Sequence, residues 1–212
     1  MNKHISNLIS QGENLHLDFK FEISDAKKIA RTFSAFANTE GGKLLIGVKD
    51  NGAIAGIRTD EEIFMIESAA DIFSRPKVFY TVKTWNIEGK TILEVDIPES
   101  SVKPHLAPWK NDLWRAYVRE NDQNFLADPI MVQVWKNKRE QKATLIRYNR
   151  IEQVLLEYLK NEPEITLKEF CELSEIKRPI AKRVLINLVT IGVIKINTFE
   201  NTSTYSLSNE IN

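Results

Sequence analysis

AFANTEGGKLLIGVKDNG, Ala35–Gly52, decides the fold of this chain. It reads as the last turns of an amphipathic helix, a glycine break, a buried strand and a hairpin turn. Upstream, Ala26, Ile29, Ala30, Phe33, Phe36 and Ala37 recur at spacings of three and four, which puts an apolar face on a helix from about Asp25 to Asn38. Gly41-Gly42 stops that helix. Leu44, Leu45, Ile46 and Val48 form an apolar run of strand length, and Asn51-Gly52 supplies the two left-handed positions of a tight turn. Ala53–Ile57 is then expected to return as a second strand.

Working outward, the region up to about Asp128 holds further strand-like runs at Leu15–Lys20, Val78–Trp85, Thr91–Ile97 and Trp114–Arg119. Glu88-Gly89-Lys90 marks a hairpin between the second and third of these. Asp60–Ser74 has helical periodicity through Ile63, Ile66, Ala70 and Phe73 and ends before Pro76. Pro98–Pro108 carries three prolines and no period, so it is expected to run as a loop over the sheet. The fold class is therefore α+β, with a mixed sheet and flanking helices.

From Asp128-Pro129 a helix is expected through Ile130, Val134 and Trp135, leading into the polar stretch at 136–142. The domains read as 1–135, a charged join at 136–144, and a second unit at 145–212. In that unit the rhythm changes to helices at Asn149–Lys160, Leu167–Ser174 and Pro179–Ile191, followed by a ribbon of Val193–Asn197 and Thr204–Leu207. Thr166 and Glu169 have the spacing of a capping box, Pro179 suits a first helical turn, and Gly192 a helix end. Three helices and a two-stranded ribbon are the arrangement of a winged helix-turn-helix, whose third helix enters the major groove. Ala181, Val184, Leu185, Leu188 and Val189 would form its buried stripe, leaving Lys177, Arg178, Lys182 and Arg183 for DNA. The wing would add Asn201, Thr202 and Ser203. A solvated helix face or a protein-docking unit is the alternative, favoured by Glu169, Glu172 and Glu175 nearby.

The 212 residues are 42% hydrophobic and 27% charged, with 29 basic against 29 acidic residues, so no net field draws the chain to nucleic acid or to an anionic membrane. Any such binding needs a local patch. The single cysteine, Cys171, excludes an internal disulfide and sits in an apolar-periodic segment, as a reduced core thiol does. No run has the length of a signal peptide core or a membrane span, and the expected location is the cytoplasm. Gly41-Gly42-Lys43 opens a strand, not a helix, and no Gly-x4-Gly-Lys-Ser/Thr occurs, so ATP is not an expected ligand. His4, His16 and His105 lack metal-binding spacing. Trp85, Trp109, Trp114 and Trp135 are scattered, as core or loop anchors are.

Glu13–Lys20 (ENLHLDFK), Ala35–Gly42, Leu44–Gly52, Val102-Lys103-Pro104-His105 and Tyr117-Val118-Arg119 together resemble the Alba-like domain of the Schlafen superfamily, over roughly residues 10 to 135. The resemblance implies a nucleic-acid-binding domain that in bacteria is often joined to a winged helix and described as a transcriptional regulator. It also implies an alternative, because some Schlafen proteins are ribonucleases that use three carboxylates. Their counterparts by motif position are Glu13, Asp18 and Asp50, which would hold Mg²⁺ or Mn²⁺ and activate water. Residue by residue the readings stay open. Asp50 also suits a residue capping its own turn, and strand alternation puts Asp18 opposite Glu13 unless the chain bends near Asn14. Asn38 and Thr39 are placed to cap a helix, or with Lys20, Lys43, Lys49 and Arg119 to hold a nucleic-acid backbone.

Three functions follow as expectations. The first is a non-enzymatic DNA-binding regulator, without cofactor and acting as a homodimer on DNA, with RNA as a second ligand class. The second is a metal-dependent nuclease, and the third a protein-interaction module.

Overall fold

The computed structural model describes residues 3–59, 61–141, 149–199 and 202–208. In chain order the first unit contains α1 (Lys3–Gln11), β1 (Leu17–Lys20), α2 (Ala26–Asn38), β2 (Gly42–Ile46), α3 (Glu61–Asp71), β3 (Thr81–Ile87), β4 (Lys90–Ile97), β5 (Leu106–Pro108), a short 3-10 turn, β6 (Trp114–Glu120) and β7 (Gln123–Leu126). The second contains α4 (Pro129–Arg139), α5 (Arg150–Asn161), β8 (Ile165–Thr166), α6 (Leu167–Leu173), α7 (Arg178–Thr190), β9 (Ile194–Phe199) and β10 (Thr202–Leu207). The class is mixed α+β, as the patterning predicts. Among the described residues no helix is long and apolar enough to cross a membrane.

β2 organises the first unit. It pairs in parallel with β1, Leu17 opposite Lys43, and antiparallel with β4, Leu44 opposite Val95, giving the sheet order β1-β2-β4-β3. Alternation along β2 sends Leu44 and Ile46 to one face, where they meet Phe33 and Phe36 of α2, Ile66 and Ala70 of α3, and Leu93, Val95 and Ile97. Leu45 faces the other way, into a smaller core with Ile5 of α1, Leu17, Phe19, Ile87 and Ile92. α2 also packs against a second sheet, β5-β6-β7.

The glycine break has two separate causes. Gly41 holds φ +73°, which a side chain would strain, and a Cβ on Gly42 would stand 2.4 Å from the Phe36 ring. Further on, the expected return strand Ala53–Ile57 does not form. Gly47, at φ +93°, turns the chain out of β2 and crosses Gly56 so closely that a Cβ would lie 2.9 Å from its carbonyl carbon. An isolated bridge, Val48 with Ile54, stands in its place, and the antiparallel ladder beside β2 belongs to β4.

The second unit encloses its own core of Leu155, Leu159, Ile165, Phe170, Ala181, Val184, Leu185, Leu188, Ile194 and Tyr205. Ile130 and Val134 of α4 are buried in it, and the chain divides between Ala127 and Asp128. The sequence pattern assigns this helix to the first domain, up to residue 135; its apolar stripe fits the second core instead. Residues 142–144 of the expected join lie outside the described residues. Thr166 and Glu169 close the capping box of α6, and Gly192, at φ +78°, ends α7 with amide bonds from Gly192 to Val189 O and from Val193 to Leu188 O. β10 pairs with both β8 and β9, so the ribbon has a short third strand.

Candidate nucleic-acid interface

At the start of β1 the chain folds back on itself. Asn14 and Leu17 exchange backbone hydrogen bonds of 2.9 and 3.3 Å, and that bend swings Glu13 round to the strand, where its Oε1 accepts from the Phe19 amide at 2.9 Å. Glu13 and Asp18 therefore meet despite the alternation. Burial raises the Glu13 carboxyl above its ordinary value, and the adjacent Asp18 carboxylate adds to this against the opposing Phe19 N–H.

Asp18 is already neutralised. Its Oδ1 accepts from Arg119 Nη2 at 3.1 Å, and its Oδ2 forms an ion pair with Lys20 Nζ at 2.8 Å that lacks hydrogen-bond alignment. Lys20 also donates to Phe19 O and lies 4.0 Å from Glu13. Arg119 is 3% exposed and donates to the carbonyls of Asn14 and Leu17 and to Asn124 Oδ1, with its guanidinium over the Phe36 ring. Asp50 stands apart from this cluster as an exposed residue of the Asn51-Gly52 turn, where Gly52 N donates to Lys49 O. Among the described residues no group of three His, Cys, Asp or Glu side chains is placed to hold a metal ion. The carboxylates that meet are two, each engaged by protein donors, so this pair does not fit Mg²⁺ or Mn²⁺.

Asn38, Thr39 and Lys43 are also committed to the fold, whereas Lys49 is exposed. Asn38, 2% exposed, donates to Ser34 Oγ, His105 O and Tyr117 O and accepts from the His105 amide at 2.8 Å. It fastens α2 to the proline-rich loop and to β6. Thr39 donates to Ala35 O and accepts from the Arg119 amide. Lys43 reaches Asp96 at 2.7 Å and Glu94 at 3.1 Å; burial by itself would lower its pKa, but these two carboxylates outweigh it and the net shift is upward. Thus Lys20, Asn38, Lys43 and Arg119 offer a strand of nucleic acid few free donors. The partners of Asn38 and Lys43 on β4, β6 and the 98–108 loop, and those of Arg119 at residues 14–18, are distant in sequence, which local pattern does not reveal, whereas Lys20 is held by its neighbours Asp18 and Phe19.

Sequence reasoning also passes over His105 as an organiser. Its Nδ1 lies 3.0 Å from Pro76 O, an acceptor only, so Nδ1 carries the proton and Nε2 accepts from Ser100 Oγ at 2.8 Å. The Val102–His105 motif is thereby part of the loop's own scaffold.

The second unit differs. Ala181, Val184, Leu185 and Leu188 of α7 face the core, while Lys177, Arg178 and Arg183 are exposed and Lys182 half-buried. Among the described residues none of these four forms an ion pair or a side-chain hydrogen bond. The acids nearby are partly engaged elsewhere: Glu169 in the capping box and Glu172 at 3.8 Å from Lys168. Glu175 is exposed. Burial, and then the Asp128 carboxylate, push the Tyr205 hydroxyl's pKa far up, with Arg178 working against them, so Asp128 and Arg178 act on the same buried hydroxyl. Thr202 is exposed and Ser203 half-buried on the ribbon, and Asn201 lies outside the described residues.

A mixed sheet with flanking helices, its motif residues Asp18, Asn38 and Arg119 buried in internal hydrogen bonds, precedes a small unit in which the cations at the front of α7 have no ion pair among the described residues. Residues 13–128, more than half of the chain, match the family described as Schlafen, AlbA_2, and the chain belongs to that family. Two solved structures are similar in part. A Corynebacterium diphtheriae protein, DIP2311, is 18% identical with a TM-score of 0.47, over 64% of this chain and 31% of that one. The N-terminal domain of a putative ATP-dependent DNA helicase RecG-related protein, from Nitrosomonas europaea, is 21% identical with a TM-score of 0.41, over 69% of this chain and 97% of that one. The chain thus spans about a third of the length of the first.

Proposed function

We propose that the protein is a cytoplasmic DNA-binding regulator. In this reading the second unit is a winged helix-turn-helix: α7 lies in the major groove, the β9–β10 ribbon is the wing, and the AlbA_2 unit serves dimerisation or effector sensing. The observation that carries the reading is the front of α7. Three long cations stand exposed there without carboxylate partners among the described residues, on a helix whose opposite face is fixed in a core. Bidentate Arg178 suits a guanine edge, and Lys177, Lys182 and Arg183 suit phosphates. Membership of the AlbA_2 family supports a nucleic-acid ligand at the coarse level. A two-fold dimer would match a palindromic site.

The test is anisotropy of a labelled duplex across salt. The double variant Arg178→Ala, Lys182→Ala is expected to lower affinity at least about tenfold near physiological salt and to reduce the salt slope by about 2. Unchanged affinity removes α7 as the reading helix.

A further inference from the structure

Three segments of the first unit meet at the carboxyl end of the parallel pair β1–β2. Phe21 follows β1 directly, Lys49 lies in the turn after β2, and Arg58 ends the segment that crosses back. Backbone bonds fix all three. Lys20 O accepts from Gly47 N at 2.8 Å, Gly47 O accepts from Ala55 and Gly56 N at 2.8 and 2.9 Å, and Ile57 N donates to Thr91 O at 2.7 Å. The turn itself is closed by Lys49 N to Ala53 O at 3.0 Å. On this frame Lys49 Nζ stands 5.4 Å and Arg58 Cζ 5.2 Å from the centroid of the same Phe21 ring.

Two like charges on one ring lie about a Debye length apart or less, so an anion at this surface feels both. A ring face attracts a cation through its quadrupole and leaves its N–H donors unused. For Lys49 that is a different condition from Lys20, Lys43 and Arg119, whose donors end on carboxylates and carbonyls. The carboxylates in reach are Glu22, 3.2 Å from Arg58 Nη1 with both side chains exposed, and Asp50, exposed and next to Lys49 in the chain. Among the described residues Lys49 has no ion pair. Beside Glu22 opens a hollow of about 120 Å³ lined by Lys20, Glu22, Asp25 and Lys28, in which acids and bases balance, so the cationic surface ends at Arg58.

We propose that Lys49 and Arg58, gathered over Phe21, bind phosphate oxygens, and that the natural occupant is the backbone of a nucleic-acid strand. The occupant rests on the reading of the protein as a nucleic-acid binder; the phosphate chemistry stands on the geometry alone. A guanidinium and an ammonium anchored on backbone that is fixed by hydrogen bonds offer phosphate oxygens a planar fork and a point charge. The site does no chemistry on the phosphate.

The experiment uses the ¹⁵N-labelled full chain, titrated in separate arms with inorganic phosphate and with a short single-stranded thymidine oligonucleotide, alongside anisotropy on a labelled duplex. The expected result is movement of the Lys49, Gly52 and Arg58 amides in both arms. Lys49→Ala with Arg58→Ala should abolish it and lower the duplex salt slope by about 2, while Lys77→Ala changes neither. Glu22→Gln, which removes the competing carboxylate, should tighten binding about threefold, the size of one exposed ion pair. If the α7 variants weaken duplex binding and the Lys49/Arg58 pair changes neither slope nor shifts, this inference is wrong and the regulator reading stands. If phosphate moves these amides and no nucleic acid binds, the regulator reading is wrong and the site takes a free phosphate. Silence in both arms overturns the site.

Discussion

Replacing Arg119 by Met separates a structural arginine from a nucleic-acid contact. The variant keeps most of the aliphatic stem but removes donors to Asn14 O, Leu17 O, Asn124 Oδ1 and Asp18 Oδ1. Asp18, 4% exposed, is left with Lys20 as its cation. Breaking a buried ion pair from one side costs roughly 3–5 kcal/mol, and the remaining lysine puts this case near the lower end, about 3 kcal/mol. With a urea slope of about 1.5 kcal/mol/M for a unit of this size, the unfolding midpoint of the first unit should fall by about 2 M. Trp85, Trp109 and Trp114 report on that unit, whereas Trp135 belongs to the second, so tryptophan fluorescence follows the affected transition. In a double-mutant cycle with Asp18→Asn the two losses should fall short of additivity by about 1–2 kcal/mol, since an uncharged amide at position 18 no longer demands a counter-charge. Duplex affinity, measured well below the melting range, should stay within about twofold of wild type. An Arg119→Met protein of wild-type stability that binds DNA tenfold more weakly would refute the assignment.

Asn38→Ala should cost about 3 kcal/mol, again in the first transition, because it strips the buried His105 N–H and the His105 and Tyr117 carbonyls of their amide partner. Leu185→Ala, at a fully buried position in α7, should cost about 3 kcal/mol in the second transition and leave the first unmoved, read by far-UV circular dichroism during urea titration. Burial by itself would raise the Glu94 carboxyl, but hydrogen bonds from Lys43, Trp85 and His4 hold it below its ordinary 4.5. A group depressed on folding adds stability above its unfolded pKa and loses it as pH falls through the folded one. The first unit should therefore weaken progressively below about pH 4.5, and Glu94→Gln should flatten that acid limb in a pH series of melts. Thr166→Ala should destabilise α6 by about 1 kcal/mol and let the Glu169 pKa, depressed by its bonds to the Thr166 amide and hydroxyl, move back up in an NMR titration.

The elements whose residues carry their own period are legible in the sequence. The α2 stripe, the β2 run, the hairpin at Gly89 and all three helices after Asn149 stand within a few residues of expectation, because each buries one face against whatever lies beneath. What local pattern misses is set by distant partners. Val48 is apolar and would extend β2, yet the Gly47–Gly56 crossing ends the strand first. α1 covers the second face of the sheet, but Ile5, Leu8 and Ile9 are too few to announce a helix. At the site, residue type is a poor guide to availability. Lys20, Lys43 and Arg119 are of the kind that hold phosphate, but acids placed by β1 and β4 consume them, whereas Lys49 rests on an aromatic ring with no ion pair among the described residues and Arg58 has only an exposed pair with Glu22. Glu13 and Asp18 meet through a bend at Asn14 that strand alternation does not contain.

Lysine-acetylation footprinting of the full chain, with and without saturating duplex DNA, tests the central claim most directly. Protection of Lys177 and Lys182 on DNA binding, with the ion-paired Lys20 and Lys43 unchanged, is the result expected of α7 in the groove. Labelling of Lys177 and Lys182 that DNA leaves unaltered would contradict it.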